Sequence, residues 1–382
     1  MKNVQTFIFR GQLFLFMMLS AIFTFQYEVL MMERGVPLST SLSIFGVSQV
    51  LSMASIFIWG KIVQRARHVN RLIQGTLIVR IAILLFMYLS GNQGAFIVLF
   101  LMYSTIWGSI DVVFEGRLTQ WVYNNGLSFG KFRLWGSIGW ALSGFTVTAL
   151  YLFIETSNSI LLFLLAINVF ILIGSLKYPL QVEANKSSHK KQRLDKKYVV
   201  LLILAAIVFI LPDSFGIVLN NHYRETFGLT VERAVFYTGI ALIFGAFISE
   251  VPALLVVDRL IRRFGPKKII MAGMVLSCLR WLFAVIANQT PLWFTFNFLF
   301  HGVVFAFIYV GTLSYVQDQV GNEATSAIVI NFTLIAGIVG FIKTQLLSLI
   351  LNFHSTNVVL IGFIGISLVM TGLFWGLFYR RD

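Results

Sequence analysis

The chain has 382 residues, 58% of them hydrophobic and only 12% charged, with 38 phenylalanines and a mean hydropathy of +0.85. So high an apolar share excludes an ordinary soluble domain and implies an all-α polytopic membrane protein, because in lipid each backbone polar group must be satisfied within the spanning structure. The net charge of +14 does not point to nucleic acid, since Lys and Arg gather in a few short connections, and the single cysteine, Cys278, in an apolar run, excludes an internal disulfide.

Apolar runs of about 20 residues, enough to cross a hydrocarbon core of about 30 Å, recur along the whole sequence. The first follows a short polar stretch, Met1 to Gln5, includes Arg10 and lacks a small-residue cleavage site, so it reads as an uncleaved span. Spans are expected at 6–31, 40–62, 72–91, 95–123, 131–154 and 158–178, and then at 198–223, 233–257, 267–288, 292–316, 325–351 and 356–379. Residues 179–197 form the one long polar segment, with Lys186, Lys190, Lys191, Arg193, Lys196 and Lys197. The expected organisation is a six-helix bundle over 1–178, a basic cytoplasmic loop over 179–197 and a second six-helix bundle over 198–382. No stretch remains for a separate soluble domain.

Basic connections alternate with connections that lack Lys and Arg. Arg65, Arg67 and Arg71 lie in the second, five cations lie between Arg259 and Lys268, and the tail ends Arg380-Arg381, whereas GNQGA at 91–95 and ANQTP at 287–291 carry none. Both termini are therefore expected in the cytoplasm of a cell-membrane protein. Each half also has a basic connection after its second span and then a single arginine inside the third, Arg80 in QGTLIVRIAILL and Arg280 in MVLSCLRWLFAV. Parallel six-helix repeats are one plan that transporters use, with the solute site near the membrane midplane.

Interior charge is costly in a bilayer, so each such residue is a candidate for function as well as for a structural ion pair. The deep set is Arg80, Asp111, Glu115, Asp213, Glu250, Arg280, His301 and Lys343. Arg10, Lys61 and Arg117 can reach an interface; Glu28, Glu33 and Arg34 are expected at or beyond the outer end of the first span. The segment IDVVFEGRLTQWVYNNGLSFGKFRLWGSIGW at 110–140 places Asp111 and Glu115 on one helix face and Arg133, Ser137 and Trp140 on a face of the next. Gly136, Gly139 and Ser143 make a small-residue stripe beside that second face. Pro212 before Asp213 and Pro252 after Glu250 free backbone carbonyls next to an acid, as at a bend. Neither GxxxxGK[ST] nor HExxH occurs and no nucleophile–base or metal constellation appears, so the chain reads as no enzyme and an ion gradient, with no cofactor, would supply energy. Asp, Glu and His at membrane depth can carry a proton.

The stretch FGKFRLWGSIGWAL at 129–142 resembles the fifth-helix motif of the oligosaccharide:proton symporter branch of the major facilitator superfamily and of its lactose permease and phenylpropionate or nucleoside permease-like relatives. Glu115 and Arg133 keep the eighteen-residue spacing of acid and arginine in the lactose permease family. The resemblance implies that these two bind solute hydroxyls and that a sugar ring stacks on Trp140, with Asp111 a secondary candidate. LVVDRLIRRFGPKKIIMAGMVLSCLRW is similar to the branch's eighth-to-ninth helix connection. It implies proton coupling by Arg280, His301 and Glu250, and a structural charge pair of Asp213 with Lys343. In two places the chain departs from the pattern: HGVVFAF has no acid one turn after the histidine, which leaves Glu250 as the leading proton carrier, and WGKIVQRARHVNR has Gln64 where the superfamily's loop motif has an aspartate.

The expectation is a twelve-helix, two-bundle secondary transporter, here a monomer in the bilayer, that takes up a small polar solute, a sugar or glycoside, with protons, by rocking of its halves about a central cavity. A proton-driven exporter of drugs or amphipathic compounds is the alternative within transport, and a non-transporting sensor or scaffold the alternative outside it.

Overall fold

The computed structural model describes residues 2–65, 68–125, 129–154, 157–178, 195–320 and 325–380. Some side chains inside the helices, among them those of Asp111, Glu115, Arg133 and Asp213, also lie outside the described residues. The chain divides into two compact units, residues 1–186 and 187–382.

Unit 1 contains α1 (Lys2–Met32), α2 (Leu38–Arg65), α3 (Val69–Leu89), α4 (Gln93–Asn124), α5 (Phe129–Ile154) and α6 (Ser157–Ser175). Unit 2 contains α7 (Lys196–Ile217), α8 (Leu219–Phe227), α9 (Val231–Leu242), α10 (Val251–Phe264), α11 (Pro266–Ile286), α12 (Pro291–Thr295), α13 (His301–Val320), α14 (Thr325–Leu351) and α15 (Thr356–Phe374). A π-helical segment, Ile243–Glu250, fuses α9 to α10, and a 3-10 segment, Phe296–Phe300, fuses α12 to α13. Ten of the resulting segments are long and apolar enough to cross a membrane, and α4 and α5 contribute the shorter apolar stretches Gln93–Ile106 and Leu134–Leu150. Among the described residues the chain is thus an all-α, multi-pass membrane protein with six apolar segments in each unit, ten of them full-length and two shorter.

Connections follow from local chemistry. Gly35, with φ of 76°, and Pro37 turn the chain between α1 and α2. Gly265, with φ of 85°, ends α10, and Pro266 opens α11, where a missing N–H costs nothing. Among the described residues, side chains accept from otherwise unpaired amides at four helix starts: Asn92 caps α4, Asp195 caps α7, Thr230 caps α9 and Thr290 caps α12.

Both units pack their spans in the same order. In unit 1, α1 lies on α5, α2 on α4, and α3 on both α4 and α6. In unit 2 the first span, α7, lies on the fifth, α14; α10 of the second lies on α13 of the fourth; and α11, the third, lies on α13 and on the sixth, α15. The weak sequence echo around Arg80 and Arg280 therefore has a packing counterpart. The small-residue stripe of α5 lets α1 come close: Gly139 is buried, and a Cβ there would overlap the carbonyl of Phe14.

One span differs in kind from the sequence reading. The expected span 198–223 ends at Ile217, and α8 follows as a separate helix after Val218, whose ψ of 11° leaves the helical range. Glu28, expected at or beyond the outer end of the first span, lies four residues before the end of α1 and is 1% exposed there. Position near a span's end fixes depth in the membrane; burial depends on the neighbouring helices, and most of α1 is enclosed.

Candidate functional site

The third span of each unit carries an arginine, Arg80 or Arg280, and both are fully buried. A buried guanidinium must be wrapped in acceptors and polarisable faces, since leaving its donors unmet is expensive. Arg280 donates from Nε to Asn297 Oδ1 at 3.2 Å, and its Nη1 lies 3.0 Å from His301 Nδ1. Its guanidinium carbon lies 4.7 Å from the ring centre of Trp281 and 5.2 Å from that of Phe298. Asn297 is itself oriented by a bond from Nδ2 to the carbonyl of Phe294 at 2.5 Å.

The contact fixes the chemistry of His301. Arginine has only donors, so Nδ1 is the acceptor and the ring's proton is on Nε2. A second proton arriving on Nδ1 would face the Arg280 N–H and break the contact. The arrangement can therefore hold one protonation state and must rearrange to accept another.

Glu250 lies at the end of the π-helical segment that faces this histidine. Gly302 is buried against the backbone of Glu250 so closely that a Cβ would overlap the Glu250 nitrogen, and a Cβ on Gly245, in the same segment, would lie 3.2 Å from His301 Cδ2. The side chain of Glu250 is partly exposed, unlike that of Arg280. Pro252 accounts for the irregularity: it cannot donate to the carbonyl of Ile248, and the amide of Val251 reaches back five residues to Ala246 O. Thus Arg280 and His301 are brought into direct contact, and Glu250 is brought to the next residue of the histidine's helix.

In unit 1, Trp140 is half-buried on α5, with Phe25 of α1 edge-on at 6.1 Å. Asp111 and Glu115 lie on α4 and Arg133 on α5, but their side chains lie outside the described residues, as does that of Asp213 on α7. Lys343 is half-buried on α14, the helix that packs on α7. Arg80 donates from Nη2 to the hydroxyl of Tyr103 at 3.2 Å and lies over that ring at 5.2 Å.

Three participants escaped the sequence reading. Asn297 had a signal, being the one amide in the run WFTFNFLF and four residues before His301. Ser249 and Gly302 had none beyond adjacency to Glu250 and His301.

The chain matches the family model described as "MFS_1 like family" over residues 9–342. It is 29% identical to the maltose permease of Geobacillus stearothermophilus over 258 residues, which cover 66% of this chain and 63% of that protein. It is 26% identical to the putative nucleoside transporter YegT of Escherichia coli (strain K12) over 212 residues, 50% of this chain and 48% of that protein. The matched regions thus span less than two thirds of the length of either relative. Among solved structures, the nucleoside transporter NupG superposes with a TM-score of 0.80 at 15% identity, covering 99% of this chain and 100% of that one. The POT family transporter PepTSo superposes with a TM-score of 0.78 at 9% identity, covering 99% of each. At these identities the superpositions speak for the fold alone, but together with the family match over most of the sequence they establish that this chain belongs to the MFS_1-like family of the major facilitator superfamily, a family of membrane transporters.

Proposed function

We propose that the protein is a proton-coupled importer of a small polar solute of the sugar, glycoside or nucleoside class, with a sugar or glycoside the leading reading. The observation that carries this is the Arg280–His301 contact, a histidine held in one protonation state inside a membrane span, with the partly exposed Glu250 beside its helix. Two relatives bearing the names maltose permease and nucleoside transporter support the solute class. Glu115 and Arg133 would bind solute hydroxyls by charge-assisted hydrogen bonds, and Trp140 would offer its flat face to the ring. Asp111 is a second acid on the same helix. Glu250 would take the proton, and its arrival would release or remake the Arg280–His301 contact, so that occupancy and protonation change together. Asp213 and Lys343 would pair between α7 and α14. Alternating access driven by the proton gradient, with no other cofactor, in a monomer embedded in the cell membrane with both termini cytoplasmic, completes the proposal.

Uptake by proteoliposomes tests it. Maltose, other disaccharides, uridine and an aromatic acid are supplied with and without an inward proton gradient. At least one sugar or nucleoside should accumulate faster with the gradient, and its entry should alkalinise the external medium. Glu115→Gln and Arg133→Lys should each abolish counterflow, whereas Glu250→Gln should keep counterflow and lose gradient-driven accumulation. Absence of counterflow for the whole panel, together with gradient-dependent efflux of a cationic dye, would favour the exporter reading and sink this one.

A further inference from the structure

An uninterrupted α-helix through residues 299–303 would join the amide of Val303 to the carbonyl of Leu299. Here the hydroxyl of Ser249, arriving from the facing span, serves both groups. It donates to Leu299 O at 2.5 Å and accepts from Val303 N at 3.2 Å. His301 lies inside that opened rung, where the 3-10 segment Phe296–Phe300 gives way to α13. A side chain inserted into the ladder is a recognised cause of a helix break. The neighbours make room for it: Gly302 has no Cβ to hold off the Glu250 backbone, Ser249 is only 6% exposed, and the π-helical segment delivers its hydroxyl.

We infer that Ser249 is a positioning residue whose hydroxyl, by completing the open rung, sets where His301 stands against Arg280 and links that placement to the turn that carries Glu250. The geometric part is independent of transport; its role in coupling rests on the function proposed above. With Ser249 withdrawn, Leu299 O and Val303 N can close on each other and the 3-10 segment can become α-helical. A 3-10 helix turns about 120° per residue and rises about 2.0 Å, an α-helix about 100° and 1.5 Å. Each converted residue therefore rotates His301 by roughly 20° and shifts it by roughly 0.5 Å relative to the start of the segment. Two or three such residues suffice to take Nδ1 out of reach of Arg280. A serine leaving or entering a helix rung thus becomes the device by which movement at Glu250 is felt at His301.

Solid-state nitrogen NMR of protein labelled with ¹⁵N-histidine and reconstituted in lipid reads the placement directly. The chain has five histidines, and the His301 signals are assigned by their loss in His301→Gln. In Ser249→Ala the Nδ1 signal should lose its hydrogen-bonded position, Ser249→Thr should restore it, and Ser249→Cys, a weaker donor of similar size, should fall between them. The His222 signals should stay fixed in all three and so report intact folding. An unmoved His301 signal in both the Ala and the Cys variants would overturn the inference. Gradient-driven uptake of maltose and uridine, measured across pH on the same samples, separates the two claims. If the signal moves while the pH profile of uptake does not, the positioning stands and the coupling role given to His301 fails; if both move together and Thr restores both, the link is supported.

Discussion

Arg80 and Arg280 occupy the same slot in the two units, on the third span and against the fourth, and both are fully buried. Their partners differ. Arg80 meets a tyrosine hydroxyl on α4, a helix that runs unbroken from Gln93 to Asn124. Arg280 meets an asparagine and a histidine on a span that changes from α to 3-10 and back between Pro291 and His301. Tyrosine is long enough to reach the arginine from a regular helix and keeps its charge state at ordinary pH. The shorter side chains need closer backbones, hence Gly302 and the π-helical segment opposite, and histidine can take a proton. Among the described contacts, one repeat holds its arginine against a group that keeps its charge state, and the other holds it against one that can take a proton.

The most severe way to break this comparison is to remove each arginine. Either alanine substitution leaves buried acceptors unmet, costing about 1–3 kcal/mol for each abandoned group. Arg280→Ala should in addition reduce gradient-driven uptake by about a hundredfold or more, the scale of roughly 3 kcal/mol lost from the coupled step, whereas Arg80→Ala should lower the melting temperature but leave the surviving uptake responsive to the gradient. Thermal unfolding and proteoliposome flux on the same preparations decide it. Equal loss of gradient response in both would mean that the two slots are functionally alike.

Next in size is the pair Gly139→Ala and Gly302→Ala. Each new Cβ meets backbone rather than a flexible side chain, Phe14 in one case and Glu250 in the other, so each should destabilise by about 1–3 kcal/mol despite alanine's better helix propensity. The Gly302 variant should also move the pH profile of uptake, because the displaced residue is Glu250 beside His301. The Gly139 variant should not. A smaller test is Tyr103→Phe, which deletes one hydrogen bond to Arg80 and should cost about 1 kcal/mol in thermal unfolding with no change in pH response.

How much of this the sequence could reveal depends on where each feature originates. The spans are legible because bilayer thickness dictates their length, and Arg280 and His301 are legible because ionisable groups stand out in an apolar run. Pro252 announces a disturbance next to Glu250. The broken rung at Leu299 and Val303 is not legible, because its cause is a serine on another span and the polar residues of TFNFLFHGVVF, Asn297 and His301, do not themselves announce a break. The burial of Glu28 is not legible for a related reason: a position near a span's end says nothing of which helices cover it. The Glu115–Arg133 spacing remains a reading of the sequence, since both side chains lie outside the described residues.

The smallest expected effect concerns the turns that follow each unit's first span. In unit 1, Arg34 donates to Asn158 Oδ1 and to Leu30 O, both at 3.0 Å, and lies 3.9 Å over the ring of Phe96. In unit 2, α8 lies beyond the apolar span that ends at Ile217, and its His222 is bonded from Nδ1 to Thr356 Oγ1 at 2.7 Å and from Nε2 to Asn288 Oδ1 at 3.0 Å. Both turns are tied to a distant part of their own unit, but only one tie titrates. Burial pulls the Arg34 guanidinium below its ordinary value, yet arginine starts so high that it stays charged through the acid range. Burial pushes His222 down to about 4 from the ordinary 6.5, against a smaller opposing effect of its bond to Asn288. Folding thus favours the neutral ring, and the unfolded chain binds more protons between those two values. The stability His222 contributes is complete above about pH 6.5 and is lost progressively as the pH falls toward about 4. Melting temperatures recorded across that interval should decline, and His222→Gln, which keeps a donor and an acceptor without the titration, should flatten the decline. Arg34→Gln should lower the curve without changing its slope. A decline equally steep in the His222 variant would show that the acid sensitivity arises elsewhere and that the two turns do not differ in kind.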